Sequence, residues 1–413
     1  RGEDGKERWF FLPVSDLEET PGEKGGEVRY SMTLPPGISP GYYELNIQVR
    51  SEKGKVSGRS LLITPPHRAY LPEKVEKGKR LWGVGLNLYS LSSEGNLGIG
   101  DFGDLEKIIR LVSEEGGDFI SINPLHHISN IEPAGVSPYF PVSRLYVNPI
   151  YIDHRQLPDI ENSETARRFM DSDEFNLIVG RIKSGQLIDY NAVSELKMQL
   201  LGDGFDWFYE NEYKRGTHRG DDFRRYMKAE GEPLELHAAF ILLDEKFRKE
   251  GVDHWKGWGI TPGNLKDERV KEFIRLNEKE LLFQKYLQWV GAEQIARLRE
   301  LTMRAGMSVG LLNDLALGVP EMSSEVFGRP ELFARGVTVG APPDDFSPLG
   351  QDWGFPPLIP GRLRDDGYGF LRQLFSSNLN RGGGLRIDHI LGFFRMFWIP
   401  EGFSPKEGVY VRY

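Results

Sequence analysis

From Leu81 onward the chain switches repeatedly between short apolar runs and longer stretches with helical spacing, and this alternation most restricts what it can fold into. Trp82 to Leu91 reads as a strand. Leu105, Ile108, Ile109, Leu111 and Val112 mark one helical face stopped by Gly116-Gly117, and Phe119 to Pro124 reads as a strand again. Further on, Leu281, Leu282, Tyr286, Leu287, Val290, Ile295, Leu298 and Leu301 line a long helix ending at Gly306, and Ser308 to Leu312 follows as a third strand. A Pro/Gly-rich loop, Gly340 to Gly361, leads to a helical face at Phe370, Leu371, Leu374 and Phe375. Gly382-Gly383-Gly384 ends that helix, and Leu385 to His389 is a fourth strand. Such alternation predicts an α/β fold with a parallel sheet, open or closed. Residues of about 155–280 are charged and helical in pattern, and read as an insertion after the second strand.

The first 66 residues read differently. Tyr43 to Arg50 alternates apolar and polar residues without a break, as a half-buried strand does. With Trp9 to Leu12, Val28 to Leu34 and Ser60 to Thr64 as supporting runs, separated by punctuation such as Pro35-Pro36-Gly37, this predicts a small all-β sandwich over 1–66. Residues 67–80, with Glu73 to Arg80 mixing both charge signs, read as a solvated linker, and 81–413 as the α/β domain.

Composition narrows the function. Lys+Arg 52 against Asp+Glu 61 gives a formal charge of −9, which opposes the phosphate neutralisation behind nucleic-acid binding. There is no cysteine, so disulfides, thiolate nucleophiles and Cys-based zinc sites drop out. No apolar run approaches the roughly 18 residues of a membrane span, and Arg1 to Lys6 lacks the apolar core of a signal peptide. The start also lacks an initiator Met, so the chain reads as an excerpt.

Several motifs exclude more than they assign. Gly98-Ile99-Gly100-Asp101-Phe102-Gly103 has the spelling of a dinucleotide fingerprint, but a polar loop, Ser92 to Asn96, separates it from the strand. Asp101 would also face the phosphates, so a tight turn and helix N-cap is the better reading. The eight histidines show no HExxH spacing, and His126 and His127 point to opposite sides if extended, so no metal is expected. Neither a G-x-S-x-G elbow nor a Walker loop is present.

The most informative constellation is Gly384-Leu385-Arg386-Ile387-Asp388-His389. On a strand, residues two apart share a face, so Arg386 and Asp388 project together. In a parallel α/β fold, that end of the strand is where the chemistry sits. A guanidinium beside a carboxylate keeps it ionised, which suits a nucleophile, while a structural ion pair is the plainer alternative. Ser137-Pro138-Tyr139, Asn148-Pro149, Gly340 to Asp344 and Gly350 to Pro356 mix aromatic and polar residues as sugar sites do, although each ring could equally be packing.

These segments, with Leu88-Tyr89-Ser90-Leu91, Gly98 to Leu105, Asn123-Pro124-Leu125-His126, Phe394-Arg395 and Trp398 to Gly402, resemble in order the signatures of the 4-alpha-glucanotransferases of glycoside hydrolase family 77. The resemblance covers 81–413, with a looser likeness at the start to the amino-terminal domain of the longer bacterial enzymes. It implies part of a (β/α)8 TIM barrel that moves α-1,4-glucan segments between maltooligosaccharides by a retaining route, without a cofactor, in the cytoplasm. It makes Asp388 the nucleophile and Arg386 its support. Tyr139 would stack at the reacting sugar and Asp314 would bind hydroxyls. Ser137, Asp344, Gln351, Trp353 and His389 complete the implied substrate-binding set. Family members commonly carry Gln, Arg, Trp and Arg where Asn87, Ser92, Leu97 and Asn313 stand. The family's acid/base Glu and third carboxylate lie on later strands, so the chain given reads as inactive alone; Glu401 is rejected as a substitute because it follows the same strand too closely. The rivals are an α-amylase-type hydrolase and a non-catalytic glucan-binding protein. Oligomeric state is open.

Overall fold

The computed structural model describes residues 1–2, 5–21, 28–34, 36–51, 54–131 and 135–413, which divide into two compact units, Arg1–Leu71 and Pro72–Tyr413. The first unit contains β1 (Glu18–Pro21) paired antiparallel with β2 (Val28–Ser31), and β3 (Gly41–Ser51) paired antiparallel with β4 (Gly54–Thr64). Among the described residues these are two separate two-stranded ribbons, not the two packed sheets expected of a sandwich. The reason is visible in the burial: among the described residues of this unit no hydrophobic side chain is fully buried, and Ile47, Val49 and Val56 on one face of the long ribbon remain exposed. Trp9 to Leu12, read as a strand, is exposed irregular chain preceding a short 3₁₀ turn. Pro35 of the expected turn lies outside the described residues.

The second unit begins with a one-turn helix, Glu73–Glu76, inside the stretch read as linker. Lys74 is not simply solvated, because its Nζ pairs with the buried Asp118 at 2.6 Å. The organising sheet is parallel and consists of β5 (Gly83–Leu86), β6 (Phe119–Ile122), β9 (Gly310–Leu315) and β12 (Gly384–Ile387), in that spatial order. Between them in the chain come β7 (His126–His127), β8 (Ser143–Val147), β10 (Val337–Ala341) and β11 (Gln351–Asp352); β13 (Arg395–Pro400) and β14 (Val409–Arg412) follow. β9 is buried almost throughout, as a strand covered on both faces should be.

The crossovers obey local chemistry. Asp101 caps the helix Phe102–Glu114 by accepting from the N–H groups of Gly103 and Asp104, and Asp104 reciprocates toward the Asp101 N–H. Leu105, Ile109 and Val112 face the core, whereas Leu111, assigned to the same face, is exposed. Residues 158–276 are helical segments and turns, and the 27-residue helix Glu278–Arg304 brings the chain back to β9. The largest core cluster joins the helices Phe102–Glu114, Tyr190–Phe208 and Glu278–Arg304 to Ile120, Ile122 and Leu311 of the sheet. Among the described residues, no helix is long and apolar enough to cross a membrane.

β11, β10, β13 and β14 form a four-stranded antiparallel sheet, so the Gly340–Gly361 loop begins and turns within a hairpin. Glu401 therefore follows β13, in a different sheet from the strand that carries Arg386, so the shared strand expected from the sequence is not found.

Candidate active site

The parallel register sets Arg386 on β12 directly beside Asp314 on β9. Both side chains emerge at the carboxyl ends of neighbouring strands, where parallel α/β folds gather reactive groups. Arg386 Nη1 donates to Asp314 Oδ2 at 2.6 Å, and its Nη2 reaches Asp388 Oδ1 at 3.4 Å. Sequence spacing paired the guanidinium with Asp388; its closer partner is Asp314, because the cross-strand neighbour is nearer than the residue two along, which already lies past the strand's end.

Asp314 is almost completely buried, and burial raises its pKa above the ordinary carboxylate value, while the Tyr139 hydroxyl and Arg386 pull it back down. Tyr139 Oη donates to the same Oδ2 at 3.0 Å, and burial together with that anion raises the phenol's own pKa. The other oxygen, Oδ1, is buried with no hydrogen-bond partner among the described residues. Arg386 is held more firmly protonated, chiefly by Asp314. Asp388, by contrast, is 57% exposed, so its carboxylate is open to an incoming molecule.

The backbone turns sharply after Asp388. His389 sits at φ 47°, a left-handed conformation that is costly for a side chain bearing a Cβ. Its ring meets the edge of Trp353 with centroids 5.1 Å apart. Trp353 is oriented in turn by its Nε1 donating to Gln351 Oε1 at 2.9 Å and by stacking on Phe355 at 6.2 Å. The β10–β11 hairpin thereby delivers Gln351 and Trp353 to the sheet's carboxyl end.

Of the residues named from sequence, Tyr139, Asp314, Arg386, Asp388, His389, Trp353 and Gln351 form one connected group. Ser137 acts locally: its Oγ and carbonyl accept from the N–H groups of Tyr139 and Phe140 and so shape the turn that presents them. Asp344 also folds on itself, its Oδ1 accepting from Phe346 and Ser347. The sequence assigned no supporting role to His126, Arg144 or Glu325. His126 Nε2 accepts from Ala316 N at 3.1 Å, and buried Arg144, paired with Glu325 at 2.9 Å, donates to the Leu317 carbonyl at 2.9 Å. Together they clamp the backbone just beyond Asp314. No spacing signal marks Arg144.

Two other polar clusters lie apart from this group. Asp101, Asp153 and His154 bring potential ligand atoms within 4.8 Å of one another. The protein's own cations already serve those carboxylates: Lys197 Nζ is 3.4 Å from Asp101, and Arg155 bonds Asp101 at 3.2 Å and Asp153 at 2.7 Å. A cavity of about 210 Å³ is lined by Tyr146, His237, Ser324 and Arg329, among others, and shares no residue with the carboxylate group.

A parallel sheet with its crossover helices, carrying an arginine shared between two carboxylates at its carboxyl end, places the chain among the α/β proteins. The fold is similar to that of amylomaltase from Corynebacterium glutamicum, with a TM-score of 0.77 and 28% identity, covering 100% of this chain and 54% of that one. Amylomaltase from Streptococcus agalactiae in complex with acarbose has a similar fold at a TM-score of 0.67 and 24% identity, over 81% of this chain and 64% of that one. A family model described as 4-alpha-glucanotransferase matches residues 86–413. The 4-alpha-glucanotransferase of Haemophilus influenzae is 33% identical over 390 residues, 92% of this chain and 54% of that protein, and that of Mycobacterium bovis is 32% identical over 418 residues. The chain belongs to the 4-alpha-glucanotransferase family, and it spans about half the length of the curated relatives it matches.

Proposed function

We propose that this chain carries the nucleophile half of an active site that transfers α-1,4-glucan segments between maltooligosaccharides with retention at the anomeric carbon. The observation that carries the reading is Arg386 bridging Asp314 and exposed Asp388 at the carboxyl ends of adjacent parallel strands. In this reading the four-stranded sheet is part of a (β/α)8 barrel. An Asp388 oxygen bonds to the anomeric carbon of the donor glucan as the bond to the departing O4 breaks, and that O4 takes a proton from an acid on the opposite side. The C4 hydroxyl of an acceptor then attacks the glucosyl-enzyme, loses its proton to the same group, and frees Asp388. Arg386 orients Asp388 through its 3.4 Å contact. Asp314, held beside Asp388 by Arg386, accepts from a hydroxyl of the sugar at Asp388, and Trp353 offers a face to an apolar sugar surface. Transfer prevails over hydrolysis where an acceptor so positioned reaches the intermediate before water does. The reading gives the acid to no residue of this chain and expects the chain alone to be inactive.

The test is a maltotriose assay with the full-length protein. The expected products are glucose and a ladder of longer and shorter maltooligosaccharides without a rise in reducing ends, abolished by Asp388→Asn. A labelled glucosyl fluoride should mark the peptide containing Asp388. A steady rise in reducing ends, or label on a different side chain, would overturn the proposal.

A further inference from the structure

Phe140 is a large aromatic side chain left 41% exposed beside the carboxylate group, and the reading above gives it no part. It sits at the far corner of the turn that begins at Ser137, whose carbonyl accepts from its N–H at 3.1 Å. Tyr139, the preceding residue of that turn, reaches inward to Asp314. Phe140 instead turns its edge to Phe355, with centroids 6.4 Å apart and planes at 71°.

Phe355 is itself immobilised. It is buried and lies against the backbone of Gly318 so closely that a Cβ there would meet its ring at 2.2 Å. It stacks at 25° on Trp353, which meets His389 next to the nucleophile. Three ring-to-ring steps thus connect the residue after Asp388 to Phe140, each comparable with the width of a sugar ring. The row has supported inner members and one exposed outer member. An exposed phenyl ring with a fixed edge contact lowers the ordering cost of stacking on a ligand, since its position is already set.

We propose that Phe140 stacks on a glucose ring of the bound α-1,4-glucan at an outer subsite, making the site favour chains long enough to reach it. The inference rests on the reading of this cluster as a glucan-transfer site. A pyranose presents an apolar C–H face to such a ring, and the rings of Trp353 and Phe355 stand between His389 and Phe140, which sets the proposed contact beyond the sugar at Asp388. Short donors end before it, so Phe140 adds binding for long chains selectively. It is a determinant of chain-length specificity and makes no contact with the reacting bond.

The experiment compares wild-type, Phe140→Ala and Phe140→Trp full-length protein on maltotriose and maltoheptaose. Phe140→Ala should lower the ratio of kcat/KM for maltoheptaose over maltotriose by about three- to tenfold, the range of one aromatic contact. Phe140→Trp should keep the ratio within about twofold of wild type. An unchanged ratio in the Ala variant, or an equal fall on both substrates, would overturn the proposal. Maltoheptaose binding to the Asp388→Asn background, read by Trp353-sensitive fluorescence, separates the two readings. Weaker binding on adding Phe140→Ala supports the subsite even if transfer fails, and unaltered binding refutes it even if transfer holds.

Discussion

Arg386 holds Asp314 at 2.6 Å and Asp388 at 3.4 Å, so one guanidinium ties the buried carboxylate of one strand to the exposed carboxylate of the next. The division of labour follows from solvent. Burial raises the Asp314 pKa and the cation and the Tyr139 hydroxyl oppose that rise, while the Asp388 carboxylate stays open to solvent.

The Asp314 arrangement sets a pH dependence. Its folded pKa is raised by burial, so the native state binds a proton more readily than the unfolded chain, and this group's contribution to stability falls as pH rises through that window. The ion pair with Arg386 exists only above it. Removing the Tyr139 hydroxyl takes away an interaction that lowers the pKa. Tyr139→Phe should therefore move the acidic limb of the kcat/KM profile of the full-length protein to higher pH. A limb left in place would show that Asp314 is not the group being read.

Lys197 offers a test of stability without activity. Its side chain and that of Asp101 are both 0% exposed, and its Nζ also donates to the Ile152 carbonyl. Burial already raises the Asp101 pKa, with Lys197 the strongest opposing influence. Lys197→Met should destabilise the chain by up to about 3 kcal/mol in urea unfolding, since it removes the stronger of two cations serving a buried carboxylate and leaves it with Arg155 and its helix-capping N–H donors. Adding Asp101→Asn should recover part of that loss, because asparagine still caps the helix at Phe102. Equal destabilisation in single and double variants would mean that packing, and not charge, is what Lys197 supplies.

How far the sequence reveals these features depends on whether their cause is local. The helix at Phe102–Glu114, the cap at Asp101 and the strand around Arg386 were all legible, because period, cap chemistry and glycine punctuation act within a few residues. Leu111 was misplaced since a 3.6 period cannot tell the edge of a face from its outside. The sandwich failed for a different reason: alternation in Tyr43 to Arg50 reports a strand, but whether a second sheet covers it is a tertiary fact. The partner of Arg386 was equally hidden. Asp314 lies 72 positions earlier and becomes its neighbour only through the register of β9 with β12. The β10–β13 pairing, bridging about 60 residues, left no mark on the Pro/Gly-rich stretch that it organises.

A buried histidine pair gives the second pH prediction. His127 Nδ1 and His237 Nε2 are 2.9 Å apart, and His237 Nδ1 is 2.8 Å from Ser324 Oγ. Burial lowers both pKa values, that of His127 to about 4 and that of His237 well below its usual value. Both rings are thus neutral in the folded state, while the unfolded chain takes up protons below its ordinary histidine pKa. The contribution to stability is complete above about pH 6.5 and is lost as pH falls toward 4, by about 1.4 kcal/mol per pH unit for each ring. Urea titrations at pH 7, 6 and 5 should show that decline, with a shallower slope in His127→Gln. An identical slope would place the titrating groups elsewhere.

Gly318 links the backbone beyond β9 to the aromatic row, and substituting it tests whether that row is rigid. A Cβ at this position would meet Phe355 Cδ2 at 2.2 Å, inside any real contact distance, and the obstacle is a ring already buried and stacked on Trp353. The ring has little room to yield, so Gly318→Ala should cost about 1–3 kcal/mol of stability as an overpacked site. The displaced ring would carry Trp353 with it, away from His389 and Asp388. The full-length variant should accordingly show a raised KM for maltooligosaccharides and an altered tryptophan emission, while Arg386, held by Asp314 on the other side, stays in place. Pairing the change with Phe355→Leu, which removes the clashing ring edge, should restore stability more than it restores KM, because leucine relieves the overlap without rebuilding the stack. Full recovery of KM in that double variant would show that Trp353 finds its position without Phe355, and the row would then be a set of independent contacts.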